Sequence, residues 1–191
     1  MMRSLILLGL LVTGCTGAKQ VDEVKLHAYV RDVDNGLNQT RSSGEFEVTA
    51  TIRPSDIIAK QQMVSSKKSE FDSLSEAYAR YTYFVVGVAK NGKDLETAFT
   101  SDGGNFAARL GDISSQFADK FHVIIGDRVV PTSDFIYMRS YGMQASEFLI
   151  AFENISSQDF QLVIDGRELG FTEVRFDFEK SNIEKLPRLQ P

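Results

Sequence analysis

Cysteine and tryptophan are nearly missing from this chain of 191 residues, which contains one cysteine, Cys15, and no tryptophan. A single cysteine cannot form an internal disulfide bond. The two histidines, His27 and His122, have no second histidine or cysteine at the spacing of a zinc site. We therefore predict no metal site and no bound cofactor.

Positive charge and long apolar runs are also scarce. Lys and Arg number 21 against 26 Asp and Glu, for a formal net charge of −5 at pH 7. This balance argues against a nucleic-acid partner, because nucleic acids bind basic surfaces. The apolar run at residues 5–12 spans about 12 Å as a helix. A bilayer core is roughly 30 Å thick, so this run is too short for a transmembrane anchor.

Several catalytic and ligand-binding motifs are incomplete. Ser65 and Lys68 fit S-x-x-K, but the companion motifs of penicillin-recognising enzymes are missing. Residues 32–36 are one position short of a calcium-loop pattern, and no P-loop lysine follows the glycines of residues 101–105. We predict no catalytic residues. The sequence leaves open a pair of carboxylates for glycoside hydrolysis, since such a pair is defined by the distance between the two carboxyl groups in space.

The first seventeen residues have the layout of an export signal. Arg3 precedes the apolar run, and small residues follow it, as in a secretory signal peptide. The run Val12-Thr13-Gly14-Cys15 resembles the lipobox of bacterial lipoproteins. That resemblance implies signal cleavage after Gly14 and acylation of Cys15. The alternative is an ordinary secreted protein with a chance cysteine.

The resemblance to lipoproteins also implies a location. Two or three acyl chains give stable membrane attachment where one is marginal. Thr16 follows the cysteine in place of an aspartate, which resembles the outer-membrane class of lipoproteins. We expect a signal peptide at 1–14, a lipidated cysteine and tether at 15–23, and a lipid-anchored domain in the cell envelope, at the outer membrane. The sequence leaves the face of the membrane open.

Alternating polarity predicts antiparallel strands along most of the chain. The pattern covers residues 24–31, 45–53 and, after a helix, 81–89 as a central strand. Apolar residues at helical spacing predict one short helix near 70–80, with Ser69 as its cap. Asn91-Gly92 predicts a hairpin turn into a strand at 95–100. Residues 102–120 fit a helix or a strand with a loop.

The last third of the chain has the clearest strand pattern. A hairpin is predicted around Gly126-Asp127, followed by strands near 135–141, 148–152, 160–164 and 174–178. Nine or ten short strands favour a single sandwich domain at 24–179. Residues 180–191 are polar and contain prolines, which predicts a loose tail.

Residues 147–178 loosely resemble small secreted immunoglobulin-like domains of bacterial lipoproteins. The resemblance implies a mainly β fold, an antiparallel immunoglobulin-like β-sandwich with the one short helix. The cysteine pair and core tryptophan of antibody domains are both absent.

These patterns favour a non-enzymatic module that binds another envelope protein or has a structural role. The bilayer is the second partner, through acylated Cys15. Turns and loops carry much of such binding. The candidate contact residues are Gly126, Asp127, Arg139, Tyr141 and Met143. The alternative is a lipoprotein that binds a small ligand or glycan. A hydrolase is the less favoured third hypothesis.

Overall fold

The structure is a computed structural model that describes residues 19–101, 111, 117–138 and 142–190. The predictions on Gly14, Cys15, Arg139 and Tyr141, and most of the segment at 102–120, fall outside these residues. Within the described residues, antiparallel sheets dominate and the helices are short. The mainly β class predicted from the sequence is confirmed.

The strands and helices are numbered along the chain. The strands are β1 (Gln20–Val21), β2 (Asn38–Ser43), β3 (Phe46–Arg53), β4 (Tyr81–Lys90), β5 (Lys93–Asp94), β6 (Phe121–Ile125), β7 (Arg128–Pro131), β8 (Asp134–Met138), β9 (Ser146–Glu153), β10 (Phe160–Ile164), β11 (Val174–Phe178) and β12 (Arg188–Leu189). The helices are α1 (Glu23–Arg31), α2 (Ser55–Gln62), α3 (Lys68–Tyr78), α4 (Leu95–Ser101) and α5 (Lys180–Glu184).

Two antiparallel sheets contain most of the strands. The first has the order β2-β3-β4-β9-β8, with the short β5 paired to β4. The second has the order β11-β10-β6-β7. On the central strand of the first sheet, Val85 pairs with Thr51 of β3 and with Leu149 of β9. This register sets which side chains share the outer face of that sheet.

The two sheets share one hydrophobic core that is rich in phenylalanine. Phe84 of the first sheet has its ring centroid 6.0 Å from that of Phe160 and 5.2 Å from that of Phe178, both in the second sheet. Phe148 and Phe121 make a similar contact at 5.9 Å. Such ring pairs add about 0.5–1.5 kcal/mol each beyond the burial of their area. Inward-facing rings therefore hold the sheets together.

Several sequence predictions are confirmed. Strand β3 buries alternate residues as its pattern predicts, and β4 is a central strand paired on both sides. The hairpin at Gly126-Asp127 and the strands of the last third also form within the described residues. The predicted helix near 70–80 is α3, which starts two residues earlier.

The cap predicted for α3 is wrong. The helix has Lys67 at its N-cap with no side-chain hydrogen bond there. The carboxylate of Glu70 instead accepts hydrogen bonds from the backbone N–H groups of Val64 (2.8 Å) and Ser65 (2.9 Å). The Ser65 hydroxyl donates to the same carboxylate. In this structure the S-x-x-K serine therefore helps to fix the loop before α3.

The strand predicted at residues 24–31 is wrong, because this segment is helix α1. Asp22 caps it, accepting a hydrogen bond from the backbone N–H of Lys25 at 2.8 Å. Leu26 and Val30 are buried, whereas Val24 is 79% exposed. Residues four apart share a helix face, so the apolar positions fit this helix as well as a strand.

The strand predicted at 95–100 is also wrong, because the segment is helix α4. Asp94 accepts hydrogen bonds from the backbone N–H of Thr97 at 2.8 Å and from its hydroxyl at 2.7 Å. Leu95, Ala98 and Phe99 are buried at helical spacing. The Asn91-Gly92 turn does form, but the returning strand β5 has only two residues before this cap.

The structure corrects the loose tail predicted at 180–191 over residues 180–190 and the tether predicted at 15–23 over residues 19–23. Strand β12 pairs in parallel with β1, so the two ends of the described chain lie together. Asp56, which is 4% exposed, accepts hydrogen bonds from the Ser75 hydroxyl (2.5 Å) and the Leu189 N–H (2.9 Å). Arg188 pairs with the same carboxylate at 3.0 Å. We call Asp56, Ser75, Arg188 and Leu189 the C-terminal clamp.

Candidate functional site

The described candidate contact residues lie at the surface. Gly126 and Asp127 form the exposed turn between β6 and β7, where Gly126 has φ 56°, a value that favours glycine. Met143 is 63% exposed. Gly142 precedes it and donates its N–H to the carboxylate of Asp94 at 3.1 Å. Both segments present backbone and side chains to solvent on fixed supports.

Strands β7 and β8 each end a sheet among the described residues. They are consecutive in the chain, with residues 132–133 between them. Val129 of β7 is 60% exposed and Ile136 of β8 is 49% exposed. Their side chains point to the outer faces of different sheets, because their neighbours Val130 and Phe135 pack on the shared core. We call Val129, Ile136, the Gly126-Asp127 turn and Met143, taken together, the edge surface. It combines sheet edges with exposed apolar side chains, the features that suit pairing with another chain.

The side chains of β8 divide cleanly between two faces. Phe135 and Tyr137 point inward and stack on Phe148, with ring centroids 5.8 and 5.1 Å from it. Ile136 has the opposite parity and pairs with Leu149 on the outer face of the sheet. The inner residues anchor β8 to the core, so its outer residues are held in place without a partner.

Buried polar groups support the segment that leads to Met143. Asp94, Glu96 and Ser146 are all buried, and the Ser146 hydroxyl accepts a hydrogen bond from the Leu95 N–H at 2.9 Å. Burial raises the pKa of Tyr137 to about 12, and nearby Glu96 adds to this effect. At neutral pH the phenol therefore stays protonated. This cluster secures the start of α4 beside β8 and β9.

A second candidate feature is a groove on the outer face of the first sheet. Its volume is about 650 Å³, within the range of small-molecule sites. Helices α1 and α2 and the adjoining Pro54 supply part of its wall, and β2, β3, β4, β8 and β9 supply the remainder. We call it the outer groove; it is lined by His27, Val30, Arg31, Asn38, Thr51, Ile52, Arg53, Pro54, Gln61, Val85, Met138, Glu147 and Leu149.

Arg53 is the distinctive side chain of the outer groove. It is half-buried, and among the described residues its guanidinium makes no hydrogen bond and no ion pair. Burial lowers the pKa of Arg53, while the negative charges of Glu147 and Glu23 oppose this shift. Glu23 is already paired with Lys60 at 2.7 Å and lies 3.6 Å from His27. The guanidinium keeps its charge and its donors available.

Sequence reasoning did not single out Arg53. It ends the alternating pattern of β3, immediately before Pro54, and so resembles any polar residue on a solvated strand face. Likewise His27 falls within the strand predicted at residues 24–31, but it lies on α1 and lines the groove. The placement of α1 and α2 over the sheet creates the site, and no sequence motif encodes that placement.

Comparison with known proteins finds no match among protein families, curated protein sequences or solved structures. Among the described residues, none of the helices has both the length and the apolar character needed to cross a membrane.

Proposed function

We propose that this protein is a lipid-anchored, immunoglobulin-like module of the bacterial cell envelope, without catalytic activity, that binds another envelope protein. The lipobox-type run ending at Cys15 supports an anchor at the outer membrane. The observation that carries the binding function is the edge surface, with Val129, Ile136 and Met143 exposed to solvent.

The strand order supports the immunoglobulin-like part of the proposal. One sheet of a variable-type immunoglobulin domain has strands A, B, E and D, and the other includes G, F, C and C′. Taking β3 as strand A and β4 as strand B, the order β3-β4-β9-β8 corresponds to A-B-E-D. The order β11-β10-β6-β7 then corresponds to G-F-C-C′. Strand β2 is an addition at the A edge.

The chemistry of the edge surface suits an extended segment of the partner. An added strand gains backbone hydrogen bonds from a sheet edge and specificity from alternate side chains. Strand β8 offers five residues without a proline, and Ile136 provides an outward apolar contact. Strand β7 is less suited, since it has four residues and Pro131 lacks an N–H donor. We expect the partner strand to pair with β8.

Site-specific photocrosslinking in intact envelopes tests this function. A crosslinking residue at Ile136 should capture one dominant protein, and the same residue at Val64 should not, although Val64 is 96% exposed. A crosslinker at Val129 should give the same product, and Ile136→Asp should abolish it by placing a charge in the apolar contact. Equal capture from Val64, or capture at Val129 that Ile136→Asp leaves unchanged, would refute the proposal.

A further inference from the structure

The outer groove has a charge pattern that favours an anion. Two guanidinium groups, Arg31 and Arg53, line it against one carboxylate, Glu147. The nearby carboxylate of Glu23 is paired with Lys60 at 2.7 Å. A ligand carrying negative charge would therefore be attracted to this end of the first sheet.

Arg53 supplies the geometry for binding such a group. A guanidinium presents a planar set of N–H donors that matches a carboxylate or phosphate with two parallel hydrogen bonds. Half-burial weakens competition from water, and no described side chain takes those donors. A hydrogen bond to a charged group gains strength in such a partly desolvated position.

The floor of the groove is suited to an apolar body attached to that anion. Val85, Leu149 and Met138 come from three neighbouring strands and all line the groove. Thr51 and Gln61 add polar groups beside them. Apolar walls with a few placed polar groups are typical of small-molecule sites.

We propose that the outer groove binds a small amphipathic molecule whose carboxylate or phosphate group is held by Arg53. The apolar part of the ligand lies along Val85 and Leu149. Glu147 faces the same groove and repels the anionic group, which limits the affinity. This ligand site shares no residue with the edge surface of the proposed function, although the two adjoin where Leu149 pairs with Ile136.

Isothermal titration of the full-length chain carrying Cys15→Ala, which cannot be acylated there, tests the proposal. Octanoate and octyl phosphate, each below its micelle concentration, distinguish the two oxyanions, and neutral octanamide is the control. At least one anion should bind, and octanamide should bind at least tenfold more weakly. Arg53→Gln should lower the affinity by about ten- to a hundredfold, as expected for hydrogen bonds to a charged group. Glu147→Gln should raise it.

The matched control is Arg128→Gln, which makes the same change of charge at an exposed position on β7. It should leave binding unchanged. Thermal unfolding of each variant separates a loss of binding from a loss of fold. The proposal is overturned if neither anion binds, if octanamide binds as well as the anions, or if folded Arg53→Gln binds like Arg128→Gln.

Discussion

Removing the central carboxylate of the C-terminal clamp, Asp56→Ala, should destabilise the protein strongly. The change leaves the Ser75 hydroxyl and the Leu189 N–H without their acceptor, and both residues are buried. It also removes the partner of Arg188, whose side chain is 49% exposed and can be solvated. The buried donors therefore account for most of the expected effect.

The magnitude follows from these contacts. An unsatisfied buried donor costs about 1–3 kcal/mol, and a largely exposed ion pair contributes at most about 1 kcal/mol. We expect Asp56→Ala to lower the free energy of unfolding by about 3–5 kcal/mol, a large part of the roughly 5–15 kcal/mol typical of a domain. Asp56→Asn, which keeps one acceptor oxygen, should lower it by about half as much.

Urea unfolding measures this change, and hydrogen exchange at the Leu189 amide localises it. The matched control is Asp72→Ala, which removes an exposed carboxylate paired with Lys68 at 3.1 Å. That control should cost about 0.5 kcal/mol, as is usual for surface pairs. The reasoning fails if Asp56→Ala and Asp72→Ala differ by less than about 1 kcal/mol, or if Leu189 keeps its protection in Asp56→Ala.

Two further predictions concern packing and pH. Gly166→Ala should lower the free energy of unfolding in urea by about 1–3 kcal/mol, because its methyl group would overlap the buried Phe171 ring. Gly87→Ala is the control, since its nearest side-chain neighbour is 3.7 Å away; equal effects would contradict the packing argument. Arg167 lowers the pKa of Asp165 to about 2, so this pair stabilises the fold above about pH 4 and loses that effect as the pH falls through about 2. A carbon-13 titration should give that midpoint, and Arg167→Gln should raise it; a wild-type midpoint near 4 would refute the assignment.

The alternation of apolar and polar residues was sufficient to predict the strands that have one buried and one solvated face. Strand β3 alternates buried residues with half-buried or exposed ones, and its partner β4 is a central strand paired on both sides. The strand prediction for residues 24–31 failed because the apolar residues Leu26 and Val30 fit the spacing of a helix as well as that of a strand. The decisive signal there was Asp22, a helix cap four residues before Leu26.

The candidate sites could be predicted only in part. The Gly126-Asp127 turn and Met143 are exposed as expected, since turn residues and segment ends tend to lie at the surface. The outer groove could not be foreseen from the sequence. Arg53 and Glu147 lie 94 positions apart, and only the order of the strands in the sheet places both in the same groove. The clamp depends in the same way on Asp56 meeting Arg188 from the far end of the chain.

The lipid anchor would decide where this protein acts, and mass spectrometry of the amino-terminal peptide of the membrane-extracted protein tests for it. We predict a mature chain that begins at Cys15 and carries acyl groups on its sulfur and its amino nitrogen. Cys15→Ala should remove both the acyl mass and the processing before this position. A peptide that retains the Gly14–Cys15 bond, or an unmodified Cys15 in the envelope fraction, would contradict the claim.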